Sequence, residues 1–305
     1  MKWASYVLGG EARTGVLFGH ELFAVEDGRT IIDLLRSGPQ EMARTAETAR
    51  RTSRTVADVS SVRLLPVVPR PGAVRDGLCF LDHLRGCLRA LGLPGDLPPV
   101  WQQIPAFYFT NPSSLIGAHD DVEVFPGSSK FDFEAEIGAV IGRGGRDLPP
   151  SRALDAIAGF TIFCDWSARD LQLHERPLGI GQAKGKDGAT TLGPFLVTTD
   201  ELGPSDIELR ASVNGRVIAA GSTSTMDWSF AELVSYASRG TELRPGDVIG
   251  SGTIPGGCLL EHAPPEGDAR WLEPGDVVEI HSPQLGSLRN TVVPGAPVHR
   301  LRSGF

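Results

Sequence analysis

Three carboxylates on two apolar segments are the residues of this chain best suited to chemistry. Glu134 and Glu136 lie in the β-prone run Phe131–Ile141, and side chains two residues apart on a strand project from the same face. Asp165 closes a second apolar run, Ile157–Cys164, and could add a third oxygen from an adjacent strand end. Carboxylates this close raise one another's pKa unless a cation neutralises them. The spacing therefore predicts a metal site.

Oxygen-only ligation predicts a hard divalent ion at these carboxylates. Mg²⁺ is expected first, with Mn²⁺ or Ca²⁺ next, because such ions prefer carboxylate oxygens and complete their shells with water or substrate oxygens. Zinc is not favoured. An isolated E-x-E pattern is more often the solvated face of a half-exposed strand, so the prediction needs support from the rest of the chain.

Composition narrows the class of partner. The chain has 305 residues, 41% of them hydrophobic, and a net charge of -8, which gives no electrostatic footprint for nucleic acid and favours a small organic ligand. The apolar runs fall short of the roughly 20 residues that cross a bilayer, so a soluble protein with no membrane partner is expected. No signal-peptide or C-x-x-C pattern is seen, which predicts free thiols and a cytoplasmic location.

Turn residues and proline density divide the chain. Residues 1–65 are predicted to form a small β-rich N-terminal domain with a helical stretch near 31–56. The proline-rich segment 66–72 is expected to be an extended linker. Residues 73–305 are predicted to form the larger, metal-dependent domain.

The larger domain is predicted to be predominantly β within a mixed α+β fold. Helices are predicted over Gly77–Leu91 and Ser229–Arg239. Short apolar runs separated by Pro and Gly predict strands at 107–109, 131–141, 159–164, 195–198, 207–213, 248–251 and 277–281. The chain shows no G-x-S-x-G, G-x-G-x-x-G or Walker motif, and the Gly-rich segment 179–185 has the wrong spacing for a dinucleotide site, which disfavours a serine hydrolase or a nicotinamide enzyme.

Three motifs together resemble a known family. D-F-E-A-E at 132–136, D-W-S-A-R-D at 165–170 and G-T at 252–253 occur in an order that resembles the fumarylacetoacetate hydrolase (fumarylacetoacetase) family. The resemblance covers roughly residues 73–300 and is loose at the N-terminus. It implies a β-roll or β-sandwich catalytic domain, a smaller N-terminal domain and, usually, a homodimer.

The resemblance also implies a ligand set and a catalytic pair. Glu134, Glu136 and Asp165 correspond to the metal ligands, and Asp76, seven residues before His83, corresponds to a further ligand that many members lack. His83 and Glu261 resemble a water-activating dyad. A carboxylate that orients a histidine and stabilises its imidazolium suits that histidine to act as a general base.

Further positions resemble residues that handle the substrate. Arg169 and Gln172, one helical turn apart, resemble a substrate-polarising pair. The matching lysine is Lys186 on one alignment and Lys184 on another, and Lys186 is preferred.

Three pocket positions complete the comparison. Tyr108 aligns with a substrate-contacting tyrosine, and Thr253 in the G-T turn is expected to hold a substrate carboxylate. Gly188 stands where the family often has an aromatic residue, which predicts a smaller pocket wall.

These residues predict a metal-dependent hydrolase that cleaves a C–C bond in a β-diketone or an acylpyruvate-type 2-oxo acid. The alternative is a lyase on the same scaffold, a 2-oxo acid decarboxylase, hydratase or isomerase. A non-catalytic metal-binding module is the third hypothesis, and replacement of His83 would separate it from an enzyme.

Overall fold

The computed structural model describes residues 1–93, 97–203, 205–264, 269–299 and 301–302. Within them the strands are β1 Lys2–Leu8, β2 Glu11–Phe18, β3 Glu21–Ala24, β4 Val56–Asp58, β5 Arg63–Leu64, β6 Val74–Gly77, β7 Phe107–Thr110, β8 Leu115–Ile116, β9 Val122–Glu123, β10 Phe131–Ile141, β11 Gly145–Arg146, β12 Ile157–Ala168, β13 Thr190–Thr198, β14 Glu208–Val213, β15 Arg216–Ser222, β16 Glu242–Leu243, β17 Val248–Gly250, β18 Val277–Ser282 and β19 Gly286–Val293. The helices are α1 Ile31–Ser37, α2 Pro39–Thr52, α3 Leu81–Ala90, α4 Pro150–Ala153, α5 Arg169–Glu175, α6 Thr199–Leu202 and α7 Phe230–Ala237. None of these helices has the length and apolar character needed to cross a membrane.

A large mixed sheet forms the centre of the molecule. Its strands follow the order β4-β3-β2-β1-β13-β12-β10-β17-β6-β7, with β5 beside β1 and β8 beside β13. Strands β10 and β12 are antiparallel neighbours, and every residue of β10 is buried. A strand buried on both faces reads as a continuous apolar run, so carboxylates within it must be held by specific partners. The predicted α+β class is confirmed.

A second sheet, β15-β14-β18-β19-β9, packs against this centre. Strands β14 and β18 alternate buried and accessible residues, as expected for a sheet with one face on the core and one toward solvent. Buried residues such as Leu209, Ile280 and Leu288 join the same apolar cluster as Ile162 of the large sheet. The two layers therefore share one core.

The N-terminal strands extend the large sheet. Strand β1 pairs with β13 through Lys2 opposite Val197 and Trp3 opposite Leu196. The helical stretch predicted near 31–56 consists of α1 and α2, which are separated at Gly38 with φ 87°. Proline at the first position of α2 fits a new helix start. The domain boundary at 66–72 stays a prediction.

Two elements near the predicted site have ends that differ from those predicted from the sequence. The helix predicted from Gly77 begins at Leu81, because Val74–Gly77 pair with β17 and β7 as β6. Strand β12 continues through Ala168, so Asp165 lies inside the strand, not at its end. Long-range strand pairing overrides local helix propensity here.

Candidate active site

Neighbouring strands bring the predicted metal ligands together. Glu134 on β10 is directly opposite Asp165 on β12, and Glu136 follows on the same face of β10. Asp76 lies on β6, which β17 joins to β10. Asp76, Glu134 and Glu136 each place a carboxylate oxygen within 4.8 Å of the other two. The four acidic side chains are all buried, which excludes the solvated-strand interpretation of the E-x-E motif.

Lys186 is the lysine that enters this site. Its Nζ donates to Glu134 Oε2 at 2.6 Å and to Asp165 Oδ2 at 2.8 Å, and the residue is 2% exposed. Lys184 lies outside the site, since its side chain is exposed and pairs with Asp187. The choice between the two lysines is therefore decided by burial.

Tyr108 contacts two of the buried carboxylates through its hydroxyl group. Its hydroxyl lies 2.6 Å from Asp76 Oδ2 and in short contact with Asp165 Oδ2. The tyrosine thus contacts predicted metal ligands, and its ring also lines the cavity beside them.

Arg169 connects the carboxylates to helix α5. Its Nη2 donates to Glu134 Oε1 at 2.8 Å, and its Nη1 donates to Gln172 Oε1 at 3.2 Å. The predicted spacing of one helical turn is observed, because Arg169 is the first residue of α5. Arg169 and Gln172 both line the cavity.

His83 on α3 forms a buried pair with Glu261. His83 Nδ1 lies 2.7 Å from Glu261 Oε1, and the two side chains are 6% and 5% exposed. Glu261 Oε2 accepts a hydrogen bond from the Gly256 backbone at 2.9 Å. Gly86, one turn beyond His83, permits this approach, because a Cβ there would come 2.6 Å from Glu261 Oε2. The glutamate is therefore fixed against the imidazole.

The G-T turn at Gly252 and Thr253 holds the carboxylate of Glu136 by two hydrogen bonds. Gly252 donates its backbone N–H to Glu136 Oε2 at 3.0 Å, and Thr253 Oγ1 donates to Glu136 Oε1 at 3.3 Å. Gly252 has φ 80°, and a Cβ there would lie 2.7 Å from the Gly77 carbonyl oxygen. Only glycine fits this close crossing of β6.

Asp132 is a site residue that the sequence interpretation did not assign. It accepts from Arg169 Nε at 2.8 Å and from the backbone N–H groups of Leu259 at 2.8 Å and Leu260 at 3.1 Å. It therefore ties the arginine to the segment that carries Glu261. Its place two residues before Glu134 on a strand was the available signal, since i and i+2 share a face.

Replacing Asp132 by Asn is expected to lower the free energy of unfolding by at least about 2 kcal/mol, because a buried amide N–H₂ would face backbone donors and Arg169 would lose an anionic partner. Denaturant unfolding measures this change. The matched control is Asp200→Asn, whose carboxylate is 69% exposed. Equal unfolding midpoints for the two variants would contradict the role given to Asp132.

Several of these side chains line one cavity of about 910 Å³. Asp76, Glu134, Lys186 and His83 line part of it, and Gln182 and Trp271 contribute elsewhere. Gly188 is not among the lining residues, and a Cβ there would lie 2.2 Å from the Phe125 ring. The smaller pocket wall predicted at Gly188 is therefore wrong, because the Phe125 ring occupies that space.

Comparisons with known proteins identify the family to which this chain belongs. A family model described as fumarylacetoacetate (FAA) hydrolase, C-terminal, matches residues 72–293. The chain belongs to the fumarylacetoacetate hydrolase family. The resemblance drawn from its three motifs is thereby confirmed.

Relatives of this family member carry different activities in their names. A 2,4-didehydro-3-deoxy-L-rhamnonate hydrolase from Sphingomonas sp. (strain SKA58) is 35% identical over 77% of this chain and 81% of its own length. A mitochondrial oxaloacetate tautomerase from Xenopus laevis is 30% identical over 88% of this chain and 84% of its own length. Among solved structures, a fumarylacetoacetate hydrolase from Exiguobacterium antarcticum superposes with a TM-score of 0.78 at 27% identity, covering 96% of this chain and 99% of that one. Family membership makes this chain an enzyme-family protein and leaves the reaction open.

Burial and charge set the ionisation of the acidic cluster. Burial raises the pKa of Asp76 and of Glu136, and it raises the pKa of Asp165 to about 7 against the lowering effect of Lys186. Burial acts in the same direction on Glu134, but the charges of Lys186 and Arg169 outweigh it and lower the pKa of that carboxyl. The cluster thus holds one firmly ionised carboxylate and several that resist ionisation.

The residues of this family member fit a hard divalent cation. Oδ1 of Asp76 and Oδ1 of Asp165 are buried and have no hydrogen-bond partner among the described residues. Buried carboxylate oxygens without partners are costly, and a cation would satisfy them. The donor set consists of carboxylate oxygens, which suits Mg²⁺ or Mn²⁺.

Metal stabilisation is expected to grow with pH. Unfolded carboxyl groups titrate at about pH 4, whereas the folded, metal-free protein keeps protons on Asp76, Glu136 and Asp165 to higher pH because their pKa values are raised. The contribution of these groups to the free energy of unfolding therefore falls as pH rises from about 4 through 7. The increase in Tm on adding MgCl₂ to chelated protein should be larger at pH 8 than at pH 5. A shift that shrinks with pH would contradict this linkage.

Proposed function

We propose that this protein is a Mg²⁺- or Mn²⁺-dependent hydrolase that cleaves a C–C bond in an acylpyruvate or β-diketone-type 2-oxo acid. One observation carries the proposal: His83, which Glu261 holds at 2.7 Å, lines the same cavity as Asp76 and Glu134 of the buried carboxylate cluster. Hydrolysis of a carbonyl compound requires a general base that activates water and an electrophile, here a metal ion, that polarises the carbonyl group of the same bound substrate.

The metal would be held by Glu134, Glu136 and Asp165, with Asp76 as the further candidate. When bound, it would polarise the substrate carbonyls and, through its charge, favour the neutral form of His83. Burial acts to lower the pKa of His83, and Cys258 and Glu261 outweigh it and raise that pKa to about 10.

His83 is the proposed general base. Neutral imidazole takes a proton from a cavity water, while Glu261 stabilises the imidazolium and fixes the ring through Nδ1. The water oxygen bonds to the acyl carbonyl carbon, and the adjacent C–C bond breaks with its electron pair passing to the 2-oxo acid fragment as an enolate. Protonation of that enolate by the imidazolium returns His83 to its neutral form. The products are a carboxylic acid, which releases its proton to the solvent and becomes a carboxylate, and a 2-oxo acid.

Lys186, Arg169 and Gln172 are the proposed stabilisers of the developing negative charge. The Lys186 ammonium and the Arg169 guanidinium are already held beside Glu134, so they need little reorganisation during the reaction. Gln172 borders the cavity beside Arg169 and offers an amide donor. Tyr108 and Thr253 are proposed to contact the substrate from their positions on the cavity wall.

A tautomerase is the second candidate function. It is favoured by the named oxaloacetate tautomerases of Xenopus laevis and Homo sapiens, which are each 30% identical over 88% and 87% of this chain. The same His83–Glu261 pair could move a proton between carbon and oxygen without a water attack. The two candidates differ in whether the carbon skeleton is cut.

Turnover on a substrate panel tests the proposal. Chelated protein, with and without added Mg²⁺ or Mn²⁺, would be given acetylpyruvate, fumarylpyruvate, a longer β-diketone acid and oxaloacetate. Cleavage products would be identified by mass spectrometry, and keto–enol conversion would be followed by ultraviolet absorbance. Metal-dependent formation of two fragments from a diketone supports the hydrolase. Faster keto–enol conversion of oxaloacetate with an intact skeleton, and no cleavage of any diketone, would replace it by the tautomerase.

A further inference from the structure

A second group of metal-ligating side chains adjoins the first, and its chemistry is different. His83, Cys87 and Cys258 each place one ligand atom within 4.8 Å of the other two. His83 and Cys258 are buried and Cys87 is half-buried. The cysteines are free thiols, and the proposed hydrolysis uses neither of them.

The fold positions these ligands from two directions. His83 and Cys87 are four residues apart on α3, so both side chains project from the same helix face. Cys258 comes from the loop after the G-T turn and donates to Glu261 Oε1 at 3.4 Å. The cluster therefore joins the helix to the loop at the position of the catalytic pair.

The spacing suits a tetrahedral ion. Zn²⁺ binds thiolate at about 2.3 Å and imidazole at about 2.0 Å, which separates two ligand atoms by roughly 3.5 Å. Cys87 Sγ lies 3.7 Å from His83 Nε2. Cys258 Sγ lies within 4.8 Å of a ligand atom of each of the other two residues, so small side-chain movements would bring it into the coordination shell of the same ion.

The histidine is already oriented as in many zinc sites. Ligating histidines commonly give their second nitrogen to a carboxylate, which fixes the ring and raises its basicity. His83 Nδ1 is held by Glu261 at 2.7 Å, which leaves Nε2 for an ion. His83 and Cys87 both line the large cavity, so an ion has a path from solvent.

The two ligand groups should select different metals. Glu134 and its neighbours supply only oxygen, which hard Mg²⁺ and Mn²⁺ prefer, whereas two thiolates and an imidazole prefer a softer ion. Zinc, disfavoured at the carboxylates, is therefore the natural occupant of the cysteine-containing group.

We propose that His83, Cys87 and Cys258 form a Zn²⁺ site whose occupation inhibits the enzyme by engaging the nitrogen that would accept the proton from water. On binding, each thiol releases its proton to the solvent and its sulfur bonds to the ion, and His83 Nε2 also releases its proton to the solvent before it binds. A water, or a substrate oxygen, completes the fourth position on the cavity side. Ion binding rests on the contacts alone, and the inhibition rests on the proposed function.

Cobalt spectroscopy tests the binding without any substrate. Co²⁺ added to the reduced protein in excess Mg²⁺ should give a thiolate-to-cobalt charge-transfer band with one ion per chain, because the carboxylate site contains no sulfur. The Cys87→Ser and Cys258→Ser variants should each lose the band, and Zn²⁺ should displace it in the wild type. The control is Cys79→Ala, a buried cysteine outside the cluster, which should keep the band. No band in the wild type, or a band undiminished in both serine variants, would overturn the site.

Turnover then tests the inhibition on whichever substrate the panel identifies. With Mg²⁺ present, Zn²⁺ should inhibit the wild type reversibly, and Cys87→Ser should require at least about 100-fold more Zn²⁺ for the same fractional loss, each variant being compared with its own zinc-free rate. Equal Zn²⁺ sensitivity of the wild type and Cys87→Ser would overturn the inhibitory role. The cobalt band does not depend on turnover, so failure of the zinc site and failure of the proposed hydrolase are distinguishable.

Discussion

The His83→Ala variant is expected to lose about 100- to 10,000-fold in kcat, the range that a positioned general base contributes. His83 Nδ1 is held by Glu261 at 2.7 Å, and the residue lines the cavity. No other histidine among the described residues lines this cavity, so no neighbouring imidazole can replace it. Alanine removes the proton acceptor and leaves Glu134, Glu136 and Asp165 untouched. Steady-state kinetics with saturating Mg²⁺ measure the loss.

Two controls test whether the loss of kcat comes from removal of the general base. His20→Ala removes an exposed histidine whose side chain is 78% accessible, and its kcat should match the wild type. Metal binding by His83→Ala, measured by calorimetry on chelated protein, should stay within about tenfold of the wild type because the carboxylate oxygens remain. A variant that binds metal normally and keeps full turnover would contradict the general-base role of His83.

The Glu136→Gln variant is expected to separate stability from function. Burial and the neighbouring Asp76 raise the pKa of Glu136 well above its usual range, so a neutral amide replaces a side chain that is already held in its neutral form in the metal-free protein. The amide oxygen can still accept the Gly252 N–H, which Glu136 Oε2 accepts at 3.0 Å. The metal-free variant should therefore unfold at the same temperature as the wild type or at a higher one.

The same change should weaken Mg²⁺ or Mn²⁺ binding by at least about 100-fold, because an amide oxygen lacks the charge that a hard divalent ion prefers. Thermal unfolding with and without metal measures both effects in one titration. Glu279→Gln is the matched control, since Glu279 is an exposed glutamate on β18, and its metal-dependent increase in Tm should equal that of the wild type. If the metal-free Glu136→Gln variant were less stable and its metal affinity unchanged, Glu136 would be a structural residue rather than a ligand.

Much of the site could be predicted because its residues lie close together in sequence. Strand β10 was predicted with its observed ends, Phe131–Ile141, since an apolar run bounded by turn residues suits a buried strand. The E-x-E spacing placed Glu134 and Glu136 on one face. The resemblance added His83 and Glu261, which are 178 positions apart and which no local periodicity connects.

The remaining features depend on contacts between distant segments. Asp132 joins Arg169 to the backbone of Leu259 and Leu260; its place two residues before Glu134 indicates the shared strand face but does not indicate these partners. The pairing of β1 with β13 depends on a strand nearly two hundred residues away. Such pairings are decided by tertiary packing and not by local propensity.

The cysteines and Gly188 show the same limit. Cys87 lies four residues after His83 on α3, whereas Cys258 has no local spacing to either residue and only the fold brings it to them. Gly188 indicated an open pocket wall, whereas the Phe125 ring from a distant loop occupies the space. Neither Gly188 nor Phe125 lines the cavity, and which positions reach it depends on packing that a single sequence does not reveal.

The most direct test of the account is the fate of oxygen during turnover of an acylpyruvate in H₂¹⁸O with Mg²⁺ present. Attack by a water that His83 activates predicts that the substrate divides into a carboxylate and a 2-oxo acid, that the new carboxylate carries one ¹⁸O atom from the attacking water, and that removal of the metal abolishes both products. A substrate that returns with its carbon skeleton intact, having only exchanged protons between carbon and oxygen, would contradict hydrolysis and assign the site to tautomer interconversion.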